Sequence, residues 1–222
     1  SQIELRIVAS VAEDAGMMEA FHAGIDIHTA TAAKVFGVDI ADVTKEQRYK
    51  AKSVNFGLIY GQGAFGLSQN LGIKRGEAAE LIEAYFAQFG GVKKYMDDSV
   101  KFCRENGFVK TIMGRKRFIP DINSSNQTVV GFAERNAINA PIQGSAADMI
   151  KLAMINIHAR LGKMKVGTKM LLQVHDELLF DVPKTELEEM TAVIKEEMER
   201  AMPLKVPVIA EAGHGDNWLE AH

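Results

Sequence analysis

Thr44–Gly61 reads TKEQRYKAKSVNFGLIYG, and the rest of the chain is organised around it. Thr44 followed three residues later by Gln47 is a capping-box pattern, and no helix breaker intervenes before Gly57, so the sequence predicts one helix. At about 100° per residue, Ala51, Val54 and Leu58 share an apolar face. Arg48, Lys52, Phe56 and Tyr60 form a second row, each step of four advancing about 40°, so the row spirals through about 120° over about 18 Å. Two cations stand near its start and two aromatics near its end. An elongated ligand, anionic at one end and flat at the other, fits such a row; a nucleoside triphosphate has that form, with phosphates for the cations and a base for the rings. A solvated basic face with two rings tucked into a core explains the same residues, because i, i+4 basic pairs are common on exposed helices.

Composition narrows the field without choosing between these readings. The 222 residues are 47% hydrophobic and 25% charged, an ordinary globular balance with material for one large domain or two smaller ones. A formal charge of -3 and a pI near 6.1 give no bulk electrostatic case for nucleic acid, so such a partner must rest on local patches. The single cysteine, Cys103, excludes an internal disulfide framework and a cysteine-rich zinc site, and fits a reducing compartment. No apolar run of about 18 residues and no signal-peptide pattern is present, so no membrane role is expected.

Taken in order, the chain opens on SQIELRIVAS, where Ile3, Leu5 and Ile7 alternate with Gln2, Glu4 and Arg6, which predicts a strand. With no initiator Met and no leading loop, this opening suggests a fragment cut at its first strand. Val11 to Ala23 reads as a helix, and Asp26 can cap a second, IHTATAAKVF, ending at Gly37. His28 sits in the first turn of that helix, where backbone N–H groups favour an anion, although such histidines are commonly plain surface residues. Beyond Thr44–Gly61, a short GLSQNLG helix precedes two amphipathic helices, Lys74 to Phe89 and Gly91 to Asn106. Phe108 to Ile112 and Arg117 to Ile119 read as a hairpin whose tip carries Arg115, Lys116 and Arg117. These three cations either hold phosphates or only keep a turn solvated.

From Gln127 to about Leu161 the pattern is helical, with interruptions at Pro141 and Gly144. Arg135, Asn139 and Gln143 fall at i, i+4 and i+8, a row of hydrogen-bond donors on an otherwise apolar helix. The minor groove of a duplex offers acceptors at every base pair, so donors aimed there would test duplex geometry without reading sequence; capping a bend or holding buried water is the alternative. Lys169 to Val174 and Glu177 to Val182 are apolar, strand-like and expected to be strongly buried, with His175-Asp176 as the tight turn between them. Asp176-Glu177 at that turn would be held as rigidly as a metal ligand needs, though an Asp at a turn needs no function. Lys184 to Met202 reads as a helix, and Val206 to Ala212 as a last strand ahead of a tail carrying Trp218.

SQIELR, RYKAKSVNFGLIYG and VHDE, in this order and spacing, resemble motifs A, B and C of the family A DNA polymerases, the bacterial DNA polymerase I kind. AERNAINAPIQGSAADMIK is similar to that family's helix beside the primer-template, and the match spans essentially the whole chain. The resemblance implies an α+β fold, with a mostly helical fingers subdomain and an antiparallel-sheet palm carrying packed helices. Residues 1–20 would be the first palm strand and helix, 21–126 the fingers, and 127–222 the carboxy-terminal palm. It implies that Arg48 and Lys52 grip the phosphates of an incoming dNTP, Lys52 also giving a proton to pyrophosphate. Phe56 would pack on the sugar and base, Tyr60 would stand beside the templating position, and His28 and Gln2 would complete the nucleotide site. Glu4 would exclude a ribose 2′ hydroxyl, and phenylalanine rather than tyrosine at position 56 implies discrimination against sugars lacking a 3′ hydroxyl. Arg115, Arg135, Asn139, Gln143 and His175 would contact primer-template DNA. Asp176, with Glu177 beside it, would hold catalytic Mg2+, two ions being expected.

In the family's motif A an Asp and a Tyr come immediately ahead of the Ser-Gln-Ile-Glu run, so the principal metal-bridging carboxylate precedes Ser1. The expectation is therefore a polypeptide inactive alone, which needs an amino-terminal polymerase segment as a partner or continuation. A cytoplasmic, nucleoid-associated role in bacterial DNA replication and repair follows from the same resemblance. Two alternatives stand beside it: a primer-template or nucleotide-binding module without chemistry, and a relative of the single-subunit RNA polymerases, against which Glu4 and Phe56 argue.

Overall fold

The computed structural model describes residues 2–221, so the opening Ser1 lies outside the described residues. The chain begins with helix α1 (Ile3–Ala12), not the expected strand. Leu5 to Ser10 are all buried, and a segment wrapped on every side has no polar face to display its period. The alternation of Ile3, Leu5 and Ile7 coexists with Leu5, Val8 and Ala9 at helical spacing, and packing selects the helix. Glu13 in the left-handed region ends α1, and Asp14 caps α2 (Ala15–His22) by accepting from the Met17 N–H at 3.1 Å, so the second helix starts later than Val11.

The expected helices follow: α3 (Ile27–Phe36), α4 (Lys45–Ile59), α5 (Ala64–Leu71), α6 (Arg75–Gln88) and α7 (Gly90–Asn106). Their apolar faces close on α1 in one core that includes Leu5, Val8, Met17, Ile27, Val54, Leu58, Leu67, Tyr85 and Phe89. The hairpin β1 (Phe108–Lys110) and β2 (Lys116–Phe118) pairs antiparallel and packs with α7 against the next helix through Cys103, Val109, Ile119, Ala133 and Ala137.

That helix, α8 (Gln127–Met164), runs unbroken through Pro141 and Gly144, contrary to the expected interruptions. Proline lacks the N–H that would bond the Ala137 carbonyl one turn back, and the helix runs on without that one bond. Ser145 Oγ donates to the Pro141 carbonyl at 2.6 Å and accepts from the Ile112 N–H at 2.9 Å. A side chain on Gly144 would meet Thr111 Cγ2 at 2.6 Å, so the glycine is where the β1–β2 turn presses on the helix.

After α8, β3 (Lys169–Val174) and β4 (Glu177–Asp181) pair antiparallel, with a register irregularity between Met170 and Leu172. They are not the strongly buried strands expected: Leu171 and Leu172 are exposed, and no residue of either strand is fully buried. Apolar composition signals a surface that can be covered; among the described residues β3 and β4 form only a two-stranded ribbon. Helix α9 (Leu187–Glu199) packs back on α8, where Arg160 bridges Glu196 at 2.6 Å and Glu197 at 2.7 Å. Val206 to Ala212 forms no strand. The segment is strapped along α1, α2 and α9 instead: Lys205 N–H donates to Ser10 Oγ, Arg6 Nη1 to the Pro207 carbonyl, and Ala210 N–H to Glu199 Oε1. These side-chain bonds occupy backbone groups that a ladder would have used. A short helix, α10 (Trp218–Ala221), ends the described chain, in which no helix is long and apolar enough to cross a membrane.

Candidate active site

Helix α4 starts where its capping box sets it. Gln47 N–H donates to Thr44 Oγ1 at 3.2 Å, and Thr44 N–H to Gln47 Oε1 at 2.9 Å. Burial of Ala51, Val54 and Leu58 fixes the rotation of the helix, so Arg48 and Lys52 face outward while Phe56 packs at the edge of the core. Arg48 and Lys52 are exposed and the two rings half-buried. Phe56 stacks with Tyr60 at 6.3 Å between centroids and 15° between planes, and lies 5.6 Å from the His28 ring. The two cations and the flat surface thus fall in the predicted order.

Asp26 ties α3 to this row. Its carboxylate caps α3 by accepting from the Thr29 N–H at 2.9 Å and from Thr29 Oγ1 at 2.8 Å. It also accepts from Arg48 Nε at 2.9 Å, Arg48 Nη2 at 3.1 Å and Gln2 Nε2 at 3.2 Å. Burial alone would raise its pKa; the donors from Arg48, Thr29 and Gln2 outweigh that and hold the carboxyl well below the usual range. Two residues on, His28 is buried, and Asn55 Nδ2 donates to its Nδ1 at 3.0 Å. The neutral ring then carries its proton on Nε2. Burial lowers the His28 pKa, Arg48 and Lys52 lower it further, and Asp26 opposes them.

At the far end of the row, the Tyr60 hydroxyl donates to Glu4 Oε2, joining α4 to α1. Burial and this carboxylate raise the Tyr60 pKa, while a hydrogen bond with Gln143 lowers it. The polar row of α8 meets the same place: Asn139 Nδ2 donates to the Tyr60 carbonyl at 3.4 Å, and Arg135 lies across Gly61. Gly61 has a φ of 74°, and a Cβ there would meet Arg135 Cγ at 2.6 Å, so both backbone angle and close approach call for glycine. Asn139 Oδ1 is buried without a partner among the described residues. Arg115 stands on the β1–β2 turn and is fastened to α8, donating from Nε to Asp148 Oδ1 at 2.9 Å and from Nη2 to the Gly144 carbonyl at 3.0 Å.

His175, Asp176 and Glu177 lie exposed at the tip of the β3–β4 hairpin. His175 has a positive φ of 53°, the sign that the first residue of a tight hairpin turn uses, and Gln173 Nε2 donates to its carbonyl at 2.7 Å. Two adjacent carboxylates of hard oxygen suit Mg2+ in kind. They are too few to enclose two such ions, and among the described residues no group of three or more His, Cys, Asp or Glu is gathered for a metal.

The family model for DNA polymerase family A matches residues 1–220. The chain belongs to DNA polymerase family A. It is 52% identical over 220 residues to DNA polymerase I of Caldicellulosiruptor bescii, covering 99% of this chain and 26% of that protein. It is 51% identical over 221 residues to DNA polymerase I of Geobacillus stearothermophilus, covering 100% of this chain and 25% of the relative. Among solved structures it is similar to the POL domain of Pol1 from M. smegmatis, in complex with DNA primer-template and dNTP. The TM-score is 0.96 at 46% identity, over 100% of this chain and 39% of that one. The family A segment described here thus spans about a quarter of the length of the DNA polymerases I it matches.

Within this polymerase segment, sequence reasoning named Gln2, Glu4, His28, Arg48, Phe56 and Tyr60, and the fold links them in one network. It missed Asn55 and saw Asp26 only as a cap. The signal for Asn55 was a polar residue one turn from Ala51 on a stripe otherwise apolar at Val54 and Leu58. The second role of Asp26 had no local signal, because Arg48 is 22 residues away.

Proposed function

We propose that this chain is the fingers and carboxy-terminal palm of an enzyme that carries out template-directed DNA synthesis, adding dNTPs to a primer 3′ end. The observation that carries the reading is the α4 row: two exposed cations, then a stacked aromatic pair, with Glu4 and the donors of α8 meeting it at Tyr60. On this reading residues 21–126 are fingers and 127–222 palm. Arg48, Lys52 and His28 hold the triphosphate with Gln2 alongside, and the Lys52 ammonium gives its proton to departing pyrophosphate. Phe56 packs on the sugar and base, and Tyr60 stands beside the templating position. Glu4, pinned by the Tyr60 hydroxyl, crowds the 2′ position so that a ribose fits poorly. Arg115, Arg135, Asn139, Gln143 and His175 face primer-template DNA, positioning it through groups every base pair shares. Movement of α4 toward the palm when a correct pair fits brings Arg48 and Lys52 onto the phosphates and excludes water.

Asp176, with Glu177 beside it, would hold Mg2+; bound as a pair, such ions supply the positive charge that nucleotidyl transfer needs at the attacking and leaving oxygens. Because two carboxylates do not complete that site, activity requires a further one, which the family's motif A places directly ahead of the Ser-Gln-Ile-Glu run. Primer extension with Mg2+ tests the reading, using dNTPs or rNTPs, the 222 residues alone, and the same chain with an amino-terminal polymerase segment added. The expected result is no extension alone and dNTP-dependent extension with the segment. Preference for rNTPs would replace DNA synthesis by RNA synthesis, and DNA binding with no activity gained in trans would leave only a binding module.

A further inference from the structure

We propose that Asp26 is a positioning residue that presents the Arg48 guanidinium to the triphosphate of an incoming nucleotide. The inference rests on the polymerase reading above and adds to it a residue that need not touch the nucleotide. Arginine has five N–H donors in a planar fork. Asp26 engages one edge of that fork, Nε at 2.9 Å and Nη2 at 3.1 Å. The other edge, made by Nη1 and the second Nη2 hydrogen, is left to meet a phosphate bidentately.

The carboxylate is itself held in place. It is fixed to the first turn of α3 by the Thr29 amide and hydroxyl, and Gln2 donates to its other oxygen. With Arg48 those contacts make five donors to one carboxylate, which leaves little capacity for another partner. Arg48 has a side chain 47% exposed, so without this contact it would sample many rotamers and lose that freedom on gripping a phosphate. The same helical turn carries His28, whose ring Asn55 orients, so α3 aligns two phosphate-binding groups at once.

The sign of the effect separates presentation from plain electrostatics. An anion beside the phosphate site repels the triphosphate, so removing its charge would tighten nucleotide binding if charge alone mattered. If Asp26 presents Arg48, removing the charge weakens binding. In the native full-length polymerase, Asp26→Asn keeps a good helix cap while breaking the ion pair. The expected result is a dNTP KM raised roughly tenfold with kcat within about twofold, equivalent to about 1.4 kcal/mol of lost nucleotide binding. In an Arg48→Ala background, which raises the KM by itself, Asp26→Asn is expected to add nothing further. Asp26→Glu, which retains the charge on a longer arm, should recover part of the loss. An unchanged or lowered KM in Asp26→Asn, or a full penalty in the Arg48→Ala background, would overturn the inference while leaving the polymerase reading intact. An Arg48→Ala variant with unchanged dNTP KM would instead overturn the phosphate role of Arg48 on which both depend.

Discussion

The surroundings of α4 and the β3–β4 hairpin carry the two halves of the proposed chemistry, and they are built by opposite means. Around α4, Asp26, His28, Asn55, Glu4 and Tyr60 interlock across three helices, with His28, Thr31 and Asn55 buried. His28, Thr31 and Asn55 bond one another where burial makes a lost partner expensive. Asp176 and Glu177 ride on a two-stranded ribbon with Leu171 and Leu172 open to solvent. The half proposed to face the nucleotide is therefore preorganised by packing within this chain, whereas the proposed carboxylate half is placed by a turn on an exposed ribbon.

The hardest test of that contrast is Asp176→Asn in the native full-length polymerase. Primer extension should fall by about a thousandfold or more while nucleotide binding and melting temperature stay near wild type, as measured by single-turnover extension and calorimetry. A loss of only a few-fold would remove Asp176 from the chemistry. Asn55→Leu should act the other way, through stability. It fills about the same space but strands the His28 Nδ1 acceptor, while Thr31 Oγ1 keeps its bond to the Ile27 carbonyl, at a cost of about 1–3 kcal/mol in urea unfolding. Glu4→Ala should admit ribonucleotides on the order of tenfold more readily, read as the ratio of rNTP to dNTP incorporation. An unchanged ratio would mean that Tyr60 holds Glu4 for packing alone.

Two smaller effects sharpen the comparison. The folded pKa of His28 lies below its ordinary value, mainly through burial. As pH falls through about 6.5, the unfolded chain takes up this proton and the folded one does not, so stability declines as pH drops toward the folded pKa. A His28→Gln variant should flatten that part of the stability profile. Asp26 has the same sign but acts lower, below about pH 4, where its unfolded carboxyl protonates and its folded one does not. On the hairpin, Leu172→Ser should change stability by no more than about 0.5 kcal/mol, because Leu172 is exposed.

Much of this was legible in order along the chain. Caps at Asp26 and Thr44 and breaks at Gly37 and Gly72 mark helices whose ends depend on nearby residues, and these helices match expectation. Reading failed where period and burial part company. The first helix is buried all round, so alternation misdirected it toward a strand; β3 and β4 are apolar yet open; and Val206 to Ala212 is held by side chains of α1 and α9 that no local pattern announces.

Local sequence by itself determined the capping box of α4, the order of cations and rings along it, and the tight turn that exposes Asp176, because each depends on torsions and spacings within a few residues. Only the tertiary structure decided that Asp26 grips Arg48, that Asn55 orients His28, and that Tyr60 joins Glu4 to the α8 row. Those partners lie 22 to 79 residues apart, and side chains at such separations meet only when helices pack, through contacts that no single helix encodes.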